Sequence, residues 1–272
     1  MDVPGFALIT GGASGIGMAC AQAFLNEGSA GIALVDVNND ALQLAKAELE
    51  KKKSEASTNQ SCQILTFTLD VSDEKQVEDV VSQVAQAFGR LDYVINAAGI
   101  AGRTQGGVTG IEMATWDQTL NVNLTGTMLV IRAAAKIMSA QEPILSSRNN
   151  RPLQRGSIVN IASILGFVGM QNTTAYTASK HAVIGVTKCV AEEYAGRGVR
   201  VNAMCPGFTD TPMIASDAER KAAIDYVVDA RVPMKRMGLP DEIADGVLYL
   251  AGGRSSFVTG SSLVVDGGYT AI

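Results

Sequence analysis

Three residues of this 272-residue chain have the types and spacing for acid–base chemistry: Ser163, Tyr176 and Lys180. Tyr176 and Lys180 stand at i and i+4, so on a helix their side chains share a face. An ammonium close to a phenol stabilises phenolate and lowers its pKa towards the range useful near neutral pH. Ser163, just past an apolar run, can donate a hydrogen bond to a substrate oxygen. Separately each is bland, since a helical tyrosine usually packs and a lysine one turn on is usually solvated.

A second group suits a nucleotide. Thr10-Gly11-Gly12-Ala13-Ser14-Gly15-Ile16-Gly17 follows the first apolar run and opens a helical pattern. Small residues there let the backbone approach a pyrophosphate at a helix N-terminus, where free N–H groups and the dipole favour anions. The spacing is G-x-x-x-G-x-G rather than G-x-G-x-x-G, and glycines at such a junction can also serve packing alone. Asp36 ends the second apolar run, 19 residues after Gly17. A carboxylate there accepts from both adenosine ribose hydroxyls and repels a 2′-phosphate. Val37-Asn38-Asn39 supplies no arginine and Ser14 is not basic, so NAD is expected over NADP. Asp70, ending the third run, either faces the adenine or caps a helix. Asn96-Ala97-Ala98-Gly99 follows the fourth run, at the strand end where parallel sheets bind ligands.

The elements that must position these residues alternate along the chain. Short apolar runs at Phe6–Thr10, Gly31–Asp36, Gln63–Leu69, Leu91–Asn96, Gly156–Ala162, Val199–Met204 and Ser262–Val265 read as strands covered on both faces. Helical patterns cover Gly15–Glu27, Asn39–Lys53, Glu74–Gly89, Thr115–Ser139, Ala175–Gly196 and Pro240–Ala251. Asp40 and Asp73 read as helix starts, and Gly89, Gly196 and Gly198 as stops. Strict β/α alternation implies a parallel, doubly wound sheet, because parallel strands need helical crossovers. With no composition break, linker or repeat, residues 1–272 read as one domain. Two insertions interrupt the pattern: the polar Glu142–Arg155, read as a surface loop, and Thr211–Gly238, long enough to be a lid.

Composition excludes other chemistries. The chain carries 22 Lys+Arg against 27 Asp+Glu, a net charge of −5, and its only basic block is Lys51-Lys52-Lys53. Nucleic acids and anionic membranes need clustered cations, so neither is expected as a partner. Val3–Asn26 and Gly156–Ser179 each run 24 residues without Asp, Glu, Lys or Arg. Their Gly, Ser, Thr, Asn and Gln content argues against a membrane span. The start Met1-Asp2-Val3-Pro4 has no positive region and does not read as a secretory signal. Cys20, Cys62, Cys189 and Cys205 have no C-x-x-C spacing, and one histidine, His181, cannot make a His-rich metal site. A reduced, cytoplasmic protein without metal is expected.

The motifs together resemble the classical short-chain dehydrogenase/reductase family over essentially the whole length. Its T-G-x-x-x-G-x-G matches Thr10–Gly17 and its N-A-A-G matches Asn96–Gly99. Its catalytic asparagine falls on Asn123 within Asn121-Val122-Asn123-Leu124-x-Gly126. Twelve residues separate Ser163 from Tyr176, and Tyr176-Thr177-Ala178-Ser179-Lys180 is the Y-x-x-x-K signature. Pro206-Gly207 and Thr211 match the segment that contacts the nicotinamide carboxamide.

The resemblance implies a single-domain Rossmann fold with a seven-stranded parallel sheet, helices on both faces. It implies NAD held by Thr10, Gly11, Ser14, Gly15, Ile16, Gly17, Asp36, Asp70, Val71, Asn96, Ala97, Gly99, Tyr176, Lys180, Pro206, Gly207, Thr209 and Thr211. Tyr176 would exchange a proton with the substrate oxygen while hydride passes between carbon and nicotinamide. Lys180 would lower the Tyr176 pKa and hold the nicotinamide ribose, Ser163 would orient the substrate, and Asn123 would anchor a water leading to Lys180. The expected activity interconverts an alcohol with its ketone or aldehyde, on a small-molecule substrate. The alternatives are a 3-oxoacyl-type biosynthetic ketoreductase, which Asp36 disfavours, and a non-catalytic cofactor-binding scaffold, which the intact four-residue set disfavours. Specificity is expected in Ile164–Thr174, Thr211–Gly238 and Gly102–Gly110, with Met170, Met213 and Ile214 near substrate. His181 points about 100° away from Lys180 and reads as a packed or surface residue. Family analogy suggests a homotetramer or homodimer packed through Thr115–Ser139 and Ala175–Gly196.

Overall fold

Alternate residues of each central strand face opposite layers, and that period of two organises the core. In β1 (Phe6–Thr10), Ala7 and Ile9 belong to one buried cluster and Leu8 to the other. In β2 (Gly31–Asp36), Ile32 and Leu34 separate from Ala33 and Val35 in the same way. The computed structural model describes residues 1–55, 61–146, 149–216 and 218–271. Positions 147, 148 and 217, inside the two expected insertions, lie outside the described residues.

The remaining strands are β3 (Gln63–Thr68), β4 (Tyr93–Asn96), β5 (Gly156–Ile161), β6 (Val199–Pro206) and β7 (Ser262–Val265). They form one parallel sheet in the order β3-β2-β1-β4-β5-β6-β7. One layer carries α1 (Gly15–Asn26) and α2 (Asn39–Glu55), with α9 (Pro240–Ala251) beside them. The other carries α3 (Glu74–Phe88), α5 (Thr127–Met138) and α6 (Thr174–Ala195). This is the doubly wound Rossmann fold, and the strand order reverses between β1 and β4, where such sheets open a crevice.

Helix ends follow their local chemistry. Asp73 caps α3 by accepting from the Gln76 amide at 3.0 Å, and Gly89 stops it at φ 76°. At α2 the capping oxygen belongs to Asn38, which accepts from the Ala41 amide at 3.0 Å, rather than to the expected Asp40. The expected single helix Thr115–Ser139 is two, α4 (Met113–Leu120) and α5, joined by a π-helical turn at Asn121–Gly126. One local bond and one distant contact accompany the turn. Thr127 Oγ1 bonds back to the Asn123 carbonyl at 2.8 Å, and Gly126 sits so close to Val71 that a Cβ would come within 2.7 Å of its methyl.

The insertions also gain structure. Residues flanking 147–148 pair as an antiparallel turn, with Ile144 N–H to Gln154 O at 2.7 Å and Leu153 N–H to Ile144 O at 2.9 Å. Arg151 fastens this turn to the Gly253 carbonyl, at the end of the sheet remote from the strand C-termini. The second insertion contains α7 (Pro212–Ala215) and α8 (Ala218–Arg231), neither of which the periodicity revealed. Its two ends are pinned together, Asp210 N–H to Gly238 O and Gly238 N–H to Phe208 O, both at 2.9 Å.

Candidate active site

A cavity of about 730 Å³ opens at the carboxyl ends of the strands, over the β1/β4 reversal. It is walled at one end by the Gly11–Gly17 turn and Asp36, and at the other by Tyr176, Met213 and α8. Glycines let the turn fold tightly against itself and against the end of β4. Gly11 has φ +63°, and a Cβ on Gly17 would lie 2.1 Å from the Gly11 carbonyl oxygen. Ser14 precedes α1 without a side-chain cap, so the first-turn amides of the helix stay available to an anion.

Asp36 sits at the rim, accepting from the Ala13 amide at 3.4 Å and from the Asn38 amide at 3.1 Å. Asp70 also lines the cavity. Of its two expected roles, the helix cap belongs to Asp73, while Asp70 accepts from the Ser72 amide and hydroxyl at 2.9 and 2.7 Å. Val71, Ala97, Gly99, Pro206, Gly207, Thr209 and Thr211 complete this part of the wall. Thr10 and Asn96, expected beside them as cofactor contacts, do not line the cavity. Thr10 is buried, and its hydroxyl accepts from the Ala97 and Ala98 amides at 3.1 Å each, tying the β1 turn to the β4 turn. Asn96 is turned into the sheet and donates to Asn160 at 2.9 Å.

Ser163, Tyr176 and Lys180 converge on the cavity floor. Ser163 comes off β5 as the residue before a 3₁₀ turn, its Oγ accepting from the Leu165 amide, and its hydroxyl is near enough to the Tyr176 phenol to favour the phenolate. Lys180, only 5% exposed, donates to the Ile161 carbonyl at 2.7 Å and lies 5.4 Å from the Tyr176 ring centroid. Asn123 is buried behind them. It accepts from the Ile100 amide at 2.8 Å and donates to the Ile100 carbonyl and to Ser179 Oγ. A Cβ placed on Gly99 would lie 3.2 Å from Asn123 Oδ1 and 3.7 Å from Lys180 Nζ, so all three meet there.

The electrostatics depart from expectation. Burial holds the Tyr176 phenol above its ordinary range, opposed by the Ser163 hydroxyl and by the Arg220 charge. Burial likewise pushes the Lys180 ammonium down to about 8. The expected lowering of the Tyr176 pKa by Lys180 is therefore overridden, because both groups are desolvated together and the ammonium is spent on Ile161.

Met170, Met213 and Ile214 line the cavity as expected, whereas His181 is exposed, with its ring bonded to the Thr177 carbonyl. Arg103, Asn172 and Arg220 also line the cavity, one from each of the three segments expected to set specificity, though no spacing marks them individually. Asn172, at φ 62°, accepts from the Thr104 amide through its carbonyl and from the Gly107 amide through Oδ1, both at 3.1 Å. It locks the Gly102–Gly110 loop to the segment leading into α6. Asn172→Ala loses the side-chain bond and strains the left-handed backbone, so a loss of about 1–2 kcal/mol of unfolding free energy is expected. Asn172→Gly should recover the backbone part, and denaturant midpoints at unchanged m-value separate the two.

Among the described residues, no helix is long and apolar enough to cross a membrane, and no group of three or more His, Cys, Asp or Glu could hold a metal. The fold is the doubly wound Rossmann type with its cavity at the strand carboxyl ends, and comparisons with known proteins identify the family. Residues 11–270 match the family model described as enoyl-(acyl carrier protein) reductase. The chain is 39% identical over 272 residues to the short-chain dehydrogenase fogB of Aspergillus ruber, spanning 99% of this chain and 98% of that protein. It is 37% identical to the 3-oxoacyl-[acyl-carrier-protein] reductase FabG of Thermotoga maritima, spanning 96% of each. The crystal structure of levodione reductase superposes with a TM-score of 0.88 at 34% identity, covering 100% of this chain and 99% of that one. The chain belongs to the short-chain dehydrogenase/reductase family.

Proposed function

We propose that this protein is an NAD-dependent oxidoreductase that interconverts an alcohol and its ketone or aldehyde, with Tyr176 as the group that exchanges the proton. The observation that carries the reading is the convergence of Ser163, Tyr176 and Lys180 on the floor of a cavity whose far end presents Asp36 and the Gly11–Gly17 turn. The residues present fit the cofactor: the uncapped first-turn amides of α1 suit a pyrophosphate, and Asp36 on the same cavity wall suits a ribose diol. When bound, NAD would supply the hydride donor or acceptor.

Every other step belongs to the chain. Ser163 holds the substrate oxygen against the Tyr176 phenol. Tyr176 donates its proton to that oxygen on reduction and receives one on oxidation. Lys180 stabilises the phenolate and binds the nicotinamide ribose. Asn123 fixes Ile100 and Ser179 around Lys180 and retains an Oδ1 lone pair for a water. The 211–238 segment, hinged at its paired ends, acts as a lid over the substrate.

Asp36→Ala tests the cofactor assignment in a binding titration. Loss of the ribose hydrogen bonds should weaken NADH about 10- to 100-fold while NADPH, freed from repulsion, gains relative to it. Tighter binding of NADPH than NADH by the wild-type protein would contradict the role given to Asp36. The FabG relative motivates one competing arm. Faster turnover of an acyl-carrier-bound 3-ketone with NADPH than of any free ketone with NADH would favour a biosynthetic ketoreductase.

A further inference from the structure

We propose that Asn160 and Thr187 are positioning residues for the reaction: the hydrogen bond between them sets α6 against β5 and so holds Tyr176 and Lys180 in place beside Ser163. The proposal rests on the oxidoreductase reading and adds to it the device that assembles the site. The three groups on the cavity floor come from two elements, Ser163 from the end of β5 and Tyr176 and Lys180 from α6. Their separation therefore depends on how the helix sits on the strand. Asn160 stands three residues before Ser163, between Ile158 and Ala162 on the face of β5 that α6 covers. Its side-chain amide donates to Thr187 Oγ1 at 2.9 Å. Thr187 follows Lys180 by seven residues and Tyr176 by eleven, two and three helical turns, so all three share one face of α6.

The bond is one link of a chain that runs in a single direction. Asn96 of β4 donates to Asn160 Oδ1 at 2.9 Å, Asn160 Nδ2 donates to Thr187, and the Thr187 hydroxyl donates to the Val183 carbonyl at 2.8 Å. Asn160 and Thr187 are fully buried, and Asn96 is 3% exposed. Their neighbours Ile158, Val183, Ile184 and Ala191 fill the same layer with apolar groups, and a buried amide or hydroxyl is costly there unless it is bonded. Apolar contacts accept a helix that slides or rolls slightly, whereas a directional bond in a dry core fixes one placement. A second polar tie between the two elements, from Lys180 to the Ile161 carbonyl at 2.7 Å, uses an ammonium that the reaction engages. The Asn160 bond holds the helix without taking part in the chemistry. Asn96 directly precedes Ala97 and Gly99 of the cavity wall, so the same chain ties that wall to the face of α6 that carries Tyr176.

The test compares Thr187→Val, which keeps the shape and removes the hydroxyl, with Thr187→Ser, which keeps the hydroxyl, on an alcohol or ketone that the wild-type protein turns over. Thr187→Val should lower kcat about 10- to 100-fold with KM and NADH affinity unchanged, because Tyr176 and Ser163 no longer meet in the productive geometry. Thr187→Ser should retain most of the wild-type kcat. Val84→Ala, which empties space behind α3 away from the cavity, costs stability while keeping the bond and should leave kcat unchanged. Hydrogen exchange at the amides of residues 176–182 reads the tie without turnover: it should quicken about 5- to 10-fold in Thr187→Val and stay slow in Thr187→Ser. Wild-type kcat in Thr187→Val, or an equal loss in either Thr187→Ser or Val84→Ala, overturns the proposal. A wild-type protein that turns over no alcohol or ketone removes the oxidoreductase reading instead. The exchange pattern then decides the placement of α6 by itself, and equal exchange in the wild type and both Thr187 variants overturns it.

Discussion

Tyr176→Phe is expected to lower kcat by about 10²- to 10⁴-fold, the range lost when a positioned proton donor is removed. The substitution deletes one hydroxyl and keeps the ring, which packs with the cluster of Ile164, Leu165, Ile214 and Ile224. Fold and nucleotide affinity should therefore survive, and KM should move little, because Ser163 remains to hold the substrate oxygen. A variant that folds, binds NADH and no longer turns over isolates the proton step. Wild-type turnover by Tyr176→Phe would remove Tyr176 from the chemistry and transfer the burden to another group on the cavity floor.

Lys180→Met should cause a comparable loss and change the pH dependence as well. Of the two groups, Lys180 loses its proton first, near pH 8, because burial disfavours its charged form, while burial holds the Tyr176 phenol above its ordinary range. Alcohol oxidation needs the pair to accept a proton, so kcat/KM should rise through about pH 8 and level off above it. Ketone reduction needs the proton present and should fall over the same range. In Lys180→Met the limb should move upward, to the raised pKa of Tyr176 alone. Stability follows the same titration. The folded value of about 8 lies below the ordinary 10.5, so the folded chain releases the proton first and gains stability as pH rises from 8 to 10.5. Below pH 8 both states are protonated and the burial cost, about 3 kcal/mol, stands. Lys180→Met should flatten that rise in thermal scans of the nucleotide-free protein while remaining folded at pH 7.

What could be read from the chain was what short-range patterning encodes. The five inner strands announce themselves because both faces of a central parallel strand are buried, leaving uninterrupted runs such as Ile32-Ala33-Leu34-Val35. The Gly11–Gly17 turn and the Tyr176/Lys180 pair are local spacings and appear directly in the sequence. What escaped depends on contacts between distant segments. Nothing in Thr115–Ser139 reveals that the Asn123 side chain is taken up by Ile100, or that Gly126 must clear Val71, yet these accompany the π turn. Thr10 and Asn96 lie inside nucleotide-binding motifs, but their side chains brace neighbouring turns instead of facing the cavity. The helices of the 211–238 segment have weak apolar periodicity, because α8 buries only Ile224 and Val228 among its described residues. Arg103 and Arg220 line the cavity only because the fold brings the glycine-rich loop and α8 to it.

The most direct test of the central claim follows a deuterium label. Wild-type protein is given a ketone and NADH deuterated at the transferable C4 position, and the product alcohol is examined by mass and by proton NMR, with Tyr176→Phe run in parallel. The account predicts one deuterium on the carbinol carbon, formed at a rate that falls by about two orders of magnitude or more in the variant. Product formed without the label, or label transferred equally fast by Tyr176→Phe, would contradict it.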